Sequence, residues 1–255
     1  MTTPCLAIIG GTGLTSLKGL QITHREVVST PYGAPSGPLI HGLLFDKPVV
    51  FLARHGYSHT IPPHMINYRA NLWALKHLNV QDIIAIAAAG GINPAIYPER
   101  LVFPDQIVDY TWGRTHTFFE RDLSRVTHID FSQPYCEPLR AVLVQAAHEA
   151  QLDVFESGTY GATQGPRLET AAEINRLARD GCDIVGMTGM PEAALARELD
   201  LCYAACVVCA NWAAGRSDGE ITIAEIRRIL DRGMKKVESL LKAVMRIECK
   251  VSRSS

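Results

Sequence analysis

Apolar runs punctuate the chain at 5–9, 39–45, 48–53, 82–88, 105–109, 182–187 and 201–209. Several are apolar throughout rather than alternating, the pattern of strands covered on both faces. Helical spacing lies between them. Tyr68, Leu72, Leu75 and Leu78 fall on one stripe of 67–78, and Leu139, Val142, Leu143 and Ala146 on one stripe of 139–150. Thr170 is placed to cap a helix that faces Ile174, Leu177 and Ala178 inward and stops at Gly181. Pro191 reads as the first position of another helix. The segment 222–244 repeats Ile226, Leu230, Val237, Leu241 and Val244 on one face. Strands alternating with helices predict a three-layer α/β domain.

Polar and glycine-rich punctuation follows several of these strands. The run at 5–9 stops at Gly10-Gly11-Thr12-Gly13, which offers backbone N–H groups and a hydroxyl to an anion. Taken alone, that turn reads first as a phosphate site, next as a bare strand-to-helix connection and last as a nicotinamide site, since the third glycine of a dinucleotide fingerprint is replaced by Ser16. Arg54 and His55 follow the strand at 48–53, and a guanidinium presents a planar fork to phosphate oxygens. His59 and Thr60 continue that polar stretch, which read alone is also a solvated loop. The small residues of 85–91 admit either a ligand or a neighbouring backbone. Glu169, Thr188 and Asn211, each beside a turn, have bland readings as dipole complement, helix cap and turn residue.

Composition narrows the partners. The 255 residues are 47% apolar with a formal net charge of −1, and the pI is near 6.7, so nothing favours nucleic acid or an anionic membrane. No apolar run approaches the ~20 residues that cross a bilayer. The N-terminus enters a strand without a signal-peptide core, and the expected location is the cytoplasm. Of the seven cysteines, Cys202, Cys206 and Cys209 cluster inside a strand and are expected to pack in the core, with a metal or redox role the lesser alternative. No pattern of metal ligands or of an organic cofactor site stands out.

Together the motifs resemble one family. GGTGL at 10–14, RHG at 54–56, HTIPPH at 59–64, NYRANLWALK at 67–76, AAAGGINP at 87–94, GPRLETAAE at 165–173, MTGMPEAALARE at 187–198 and the segment 202–211 recur in the order of the trimeric purine nucleoside and methylthioadenosine phosphorylases. The resemblance implies a single domain over 1–249 with a twisted mixed sheet flanked by helices, and a flexible tail at 250–255. It implies reversible phosphorolysis, in which phosphate, a co-substrate rather than a cofactor, attacks C1′ of a purine nucleoside. It also implies a homotrimer with sites at subunit interfaces.

The resemblance assigns phosphate to Thr12, Arg54, His55, the backbone at Ala88, and Thr188, and sets Met187 and Leu168 against the nucleoside. Methylthioadenosine phosphorylases carry threonine where this chain has Ala88, and two aspartates in a Thr-Asp-Tyr-Asp pattern where it reads Ala210-Asn211-Trp212-Ala213. Asn211 and Glu169 match instead the pair that reads the 6-oxo group, N7 and the N1 proton in inosine/guanosine phosphorylases. Those enzymes also place a histidine in the last helical segment to hold the 5′-hydroxyl, but no histidine follows His148 here. Ile223 and Ile226 resemble an apolar pocket for a methylthio group, with helix packing as their plain alternative. His59 and a neighbouring subunit's His128 match positions that line that pocket. A 6-oxopurine reader joined to an apolar 5′ pocket is most similar to the small bacterial methylthioinosine phosphorylase branch.

Overall fold

The computed structural model describes residues 6–14, 17–121 and 123–247; the expected tail at 250–255 lies outside them. In chain order the elements are β1 (Leu6–Gly10), β2 (Leu20–Glu26), β3 (Leu39–Leu44), β4 (Lys47–Ala53), α1 (Tyr68–His77), β5 (Asp82–Gly91), β6 (Leu101–Val102) and β7 (Gln106–Asp109). They continue with α2 (Glu137–Glu149), β8 (Val154–Phe155), β9 (Thr159–Ala162), α3 (Ala171–Arg179), β10 (Ile184–Gly186), α4 (Gly189–Glu198), β11 (Cys202–Trp212) and α5 (Ile223–Val244).

One mixed sheet runs in the order β2-β3-β4-β1-β5-β10-β9-β7, and β11 branches from β5 toward β6 and β8. The first half of β5 pairs in parallel with β1, while its last two residues pair antiparallel with β10 on the path continuing from that edge. Between Ala85 and Gly90 that edge carries no strand partner. β11 runs parallel to β5 along its length. The break in pairing marks where the site forms.

Alternate residues of the central strands feed two cores, as strand pleating requires. Ala7, Ile9, Ile83, Ala85, Tyr203 and Ala205 join α1 and α4 on one face. Leu6, Ile8, Ile84, Ile86, Ala204 and Cys206 join α2 and α5 on the other. Both faces of β1, β5 and β11 are thus covered, which is why these strands read as unbroken apolar runs. The expected three-layer α/β architecture, a twisted mixed sheet flanked by helices, is the observed one.

Differences are local. β2, β6, β8 and β9 have no counterpart in the apolar runs: β2 is almost wholly exposed, β6 and β8 are two residues each, and β9 is the tetrapeptide Thr-Tyr-Gly-Ala. Cys206 and Cys209 pack in the core as expected, where burial pushes each thiol up to about 12. Cys202 is buried in the core as well, but not as a free thiol. It forms a disulfide with Cys136 at the start of α2, 66 residues away, which spacing along a single strand does not reveal.

Candidate active site

The turn after β1 closes tightly, with Leu14 N–H donating to the Gly11 carbonyl at 3.0 Å. Gly11 is confined by packing: a Cβ there would sit 2.6 Å from the Ile86 oxygen and 2.8 Å from Arg54 Nη1. The turn therefore lies directly against the unpaired edge of β5. Arg54, the first residue past β4, is tied to the end of β1 by its N–H to the Gly10 carbonyl at 2.9 Å.

The Arg54 side chain is 1% exposed and is held from three sides. Nε and Nη2 donate to the two oxygens of Glu192 at 2.6 and 2.7 Å, and Nη1 donates to the Ile86 carbonyl at 2.9 Å. Tyr203 donates its hydroxyl to Glu192 at 2.8 Å. Burial opposes the guanidinium's charge, but Glu192 outweighs it and leaves the pKa raised above its usual value. Three of the five N–H bonds are committed, and one hydrogen on each terminal nitrogen remains for an anion. Because carbonyl and amide directions alternate along a strand, the Ala88 N–H faces the same edge as the Ile86 carbonyl.

His55 is 7% exposed. Its Nδ1 lies 2.8 Å from the Ile61 carbonyl, which only accepts, so Nδ1 carries the hydrogen and Nε2 presents a lone pair. Burial first, then the charge of Arg54, lowers its pKa to about 4. Thr188 is buried and makes no capping bond with its side chain. The chain kinks at Met190 (φ −116°, ψ 139°), so regular helix starts at Pro191, where the sequence placed it.

The base-reading candidates come from two other segments. β11 slips register against β5 between Cys209 and Asn211. A bulge of this kind re-aims the side chain that follows it, and Asn211 lines the cavity, its amide nitrogen 2.6 Å from the Trp212 carbonyl. Glu169 stands in the turn before α3, where Oε1 accepts from the Thr163 hydroxyl at 2.6 Å. Gly165, with φ +61°, keeps this turn against Met187, since a Cβ there would strike the Met187 side chain.

These groups surround one cavity of about 220 Å³. Thr12, Arg54, His55, Ala88, Thr188, Glu169, Asn211, Leu168 and Met187 all line it. Ile221, Ile223 and Ile226 add apolar surface to the wall. Leu168 and Ile223 are 41% and 58% exposed although they line it. His59 is not in the cavity wall; its ring centroid lies 4.6 Å from that of His55. His128 is exposed and likewise outside the wall.

Three contributors escaped the sequence reading. Glu192 and Tyr203 brace Arg54, and Thr163 orients Glu169. A fourth, Arg114, is buried and donates to the carbonyls of Met187, Met190 and Gln164 at 2.9, 2.6 and 2.9 Å. One guanidinium thus fixes the segments that carry Met187, Thr188 and Glu169. Glu192 was visible only as an acidic residue in a helix's first turn, a common dipole complement. Arg114 sits in a loop with no local signal.

A buried guanidinium with N–H and hydroxyl donors, a carboxylate, a carboxamide and three isoleucines thus line one chamber. Residues 6–246 match the family model described as the phosphorylase superfamily. The chain is 56% identical over 239 residues to a probable S-methyl-5′-thioinosine phosphorylase of Pseudomonas syringae pv. tomato, covering 94% of this chain and 97% of that one. It is 44% identical over 247 residues to a 6-oxopurine nucleoside phosphorylase of Pyrococcus furiosus, covering 95% and 91%. A solved methylthioadenosine phosphorylase of Schistosoma mansoni in complex with adenine superposes with a TM-score of 0.91 at 32% identity, covering 96% and 92%. The chain belongs to the phosphorylase superfamily.

Proposed function

We propose that this protein cleaves S-methyl-5′-thioinosine with phosphate, giving hypoxanthine and S-methyl-5-thioribose 1-phosphate. The observation that carries the reading is the shared cavity: Glu169 and Asn211 line it together with Arg54, and so do Ile221, Ile223 and Ile226.

Phosphate rests on the free N–H bonds of Arg54, the hydroxyls of Thr12 and Thr188 and the Ala88 N–H. Nε2 of neutral His55 accepts from a protonated phosphate oxygen. One phosphate oxygen attacks C1′, the C1′–N9 bond breaks, and its electron pair passes into the purine. The chain's task is to hold the nucleophile beneath C1′ and to stabilise charge on the departing base. Asn211 donates to the base at N7 or at the C6 oxygen. Glu169, oriented by Thr163, accepts the N1 proton. Only a 6-oxopurine has that proton; adenine's bare N1 would face a carboxylate, which costs about 1–3 kcal/mol.

The names of the relatives in Pseudomonas syringae and Pyrococcus furiosus agree with this base choice. The isoleucines support methylthioinosine over inosine, because Ile221, Ile223 and Ile226 offer a 5′-hydroxyl no hydrogen-bonding side chain. The reaction needs phosphate as co-substrate and no organic or metal cofactor. The exposure of Leu168 and Ile223 at the cavity rim supports the family's homotrimer, in which a partner subunit covers the rim and brings its own His128. A monomer-sized particle in sedimentation would contradict that assembly. Among the described residues no helix is long and apolar enough to cross a membrane, which is compatible with a cytoplasmic salvage enzyme. Release of hypoxanthine from S-methyl-5′-thioinosine that depends on added phosphate tests the reaction; phosphate-independent or absent release overturns it.

A further inference from the structure

The β2–β3 hairpin carries a second cluster of titratable groups, and none of them lines the cavity. The hairpin's register slips between Ile22 and His24, so Thr23 is an extra residue and His24 stands opposite His41. Such a bulge re-aims a side chain that regular pleating would send elsewhere. Glu26, two residues from His24, falls on the same face. Two imidazoles and a carboxylate thereby place ligand atoms all within 4.8 Å of one another.

His41 Nε2 lies 2.9 Å from Glu26 Oε2, yet that nitrogen is enclosed and has no hydrogen-bond partner. Two ligands of one ion with bonds of about 2.0–2.1 Å stand about 3.3 Å apart at tetrahedral angles, so a small side-chain adjustment from 2.9 Å would admit an ion lying off the line between them. An enclosed nitrogen without a partner is costly, and an ion would satisfy it. The His24 ring stacks on His41 with centroids 4.1 Å apart. Because His24 is exposed, it can swing to complete the set while His41 and Glu26 stay in place.

The geometry points to a divalent transition-metal site formed by His24, Glu26 and His41. Two imidazoles with one carboxylate fit Zn²⁺, with water completing the shell. Magnesium and calcium prefer oxygen alone. A bound ion would clip β2, the exposed edge of the sheet, to β3. No linear motif announces the site, because its ligands come from two strands.

The test is calorimetric titration of Zn²⁺ into the metal-stripped, untagged full chain, alongside His24→Ala and Glu26→Gln. The wild type is expected to bind one ion per chain at this site and to melt at a higher temperature with it. Loss of an outer-shell partner already costs about 10–100-fold in affinity, so loss of a ligand is expected to cost at least ~10-fold. His24 is exposed, so that variant should fold normally, and phosphorolysis should be unchanged in both variants. Equal Zn²⁺ affinity in the wild type and His24→Ala, the absence of a saturable site, or equal binding of Mg²⁺ overturns the assignment.

Discussion

Glu192 accepts from Arg54 with both carboxylate oxygens, at 2.6 and 2.7 Å, in surroundings that leave the two side chains 0% and 1% exposed. The pair sets the direction in which the guanidinium's remaining N–H bonds point. A charge pair this deep is held by mutual satisfaction, so removing one charge strands the other.

Glu192→Gln is therefore expected to cost about 3–5 kcal/mol of stability. The Michaelis constant for phosphate should rise by roughly tenfold or more, because Arg54 loses its fixed orientation. Thermal melting and phosphate titration of the initial rate check the two effects. An unchanged phosphate constant would remove the pair from the site's chemistry.

On the proposed function, Asn211 and Glu169 read the base. Asn211→Asp should gain activity on adenine nucleosides and lose activity on hypoxanthine nucleosides. Glu169→Gln should lower kcat/KM for the 6-oxopurine substrate by roughly 10–100-fold, the cost of about 1–3 kcal/mol for a mismatched buried polar pair. Paired measurements on the two nucleoside types decide the matter; variants that scale both substrates equally would contradict the assignment.

His55 carries a pH signature. Its pKa is about 4 in the folded chain and 6.5 ordinarily. Between those values the unfolded chain binds more protons than the folded one, so stability rises with pH across that window. The contribution is fully present above 6.5 and is lost as pH falls toward 4. His55→Gln should flatten this part of a stability–pH curve measured by denaturant unfolding. An unaltered slope would show that another group governs the window.

The Cys136–Cys202 disulfide closes a loop across 66 residues. Loop-closure entropy for that length amounts to about 4 kcal/mol. Reduction is expected to lower the melting midpoint by about 10 °C for a chain of this size. Melting with and without a strong reductant, alongside Cys136→Ser, checks it. A reductant effect that persists in Cys136→Ser would assign it to other thiols.

The strands that build the site's floor were legible because both faces of β1, β5 and β11 are covered, leaving unbroken apolar runs. β2 escaped because its exposed, polar sequence lacks that signature, and β9 because four residues carry no period. Thr12, Arg54, His55 and Asn211 were visible as polar residues at or just past strand ends, whereas Leu168, Met187, Ile223 and Ile226 came only from the family resemblance. What supports them was not legible. Glu192 is 138 residues from Arg54, and Arg114 is 73 from Met187. Such pairings exist only once the sheet has assembled, so no local pattern records them.

The most direct test compares kcat/KM for S-methyl-5′-thioinosine, inosine, S-methyl-5′-thioadenosine and adenosine at saturating phosphate. The account predicts that S-methyl-5′-thioinosine is cleaved fastest, with inosine behind it for want of a 5′-hydroxyl partner and both adenine compounds lower by roughly tenfold or more. A preference for either adenine nucleoside would contradict the reading of Glu169 and Asn211, and a preference for inosine would contradict the reading of the isoleucines.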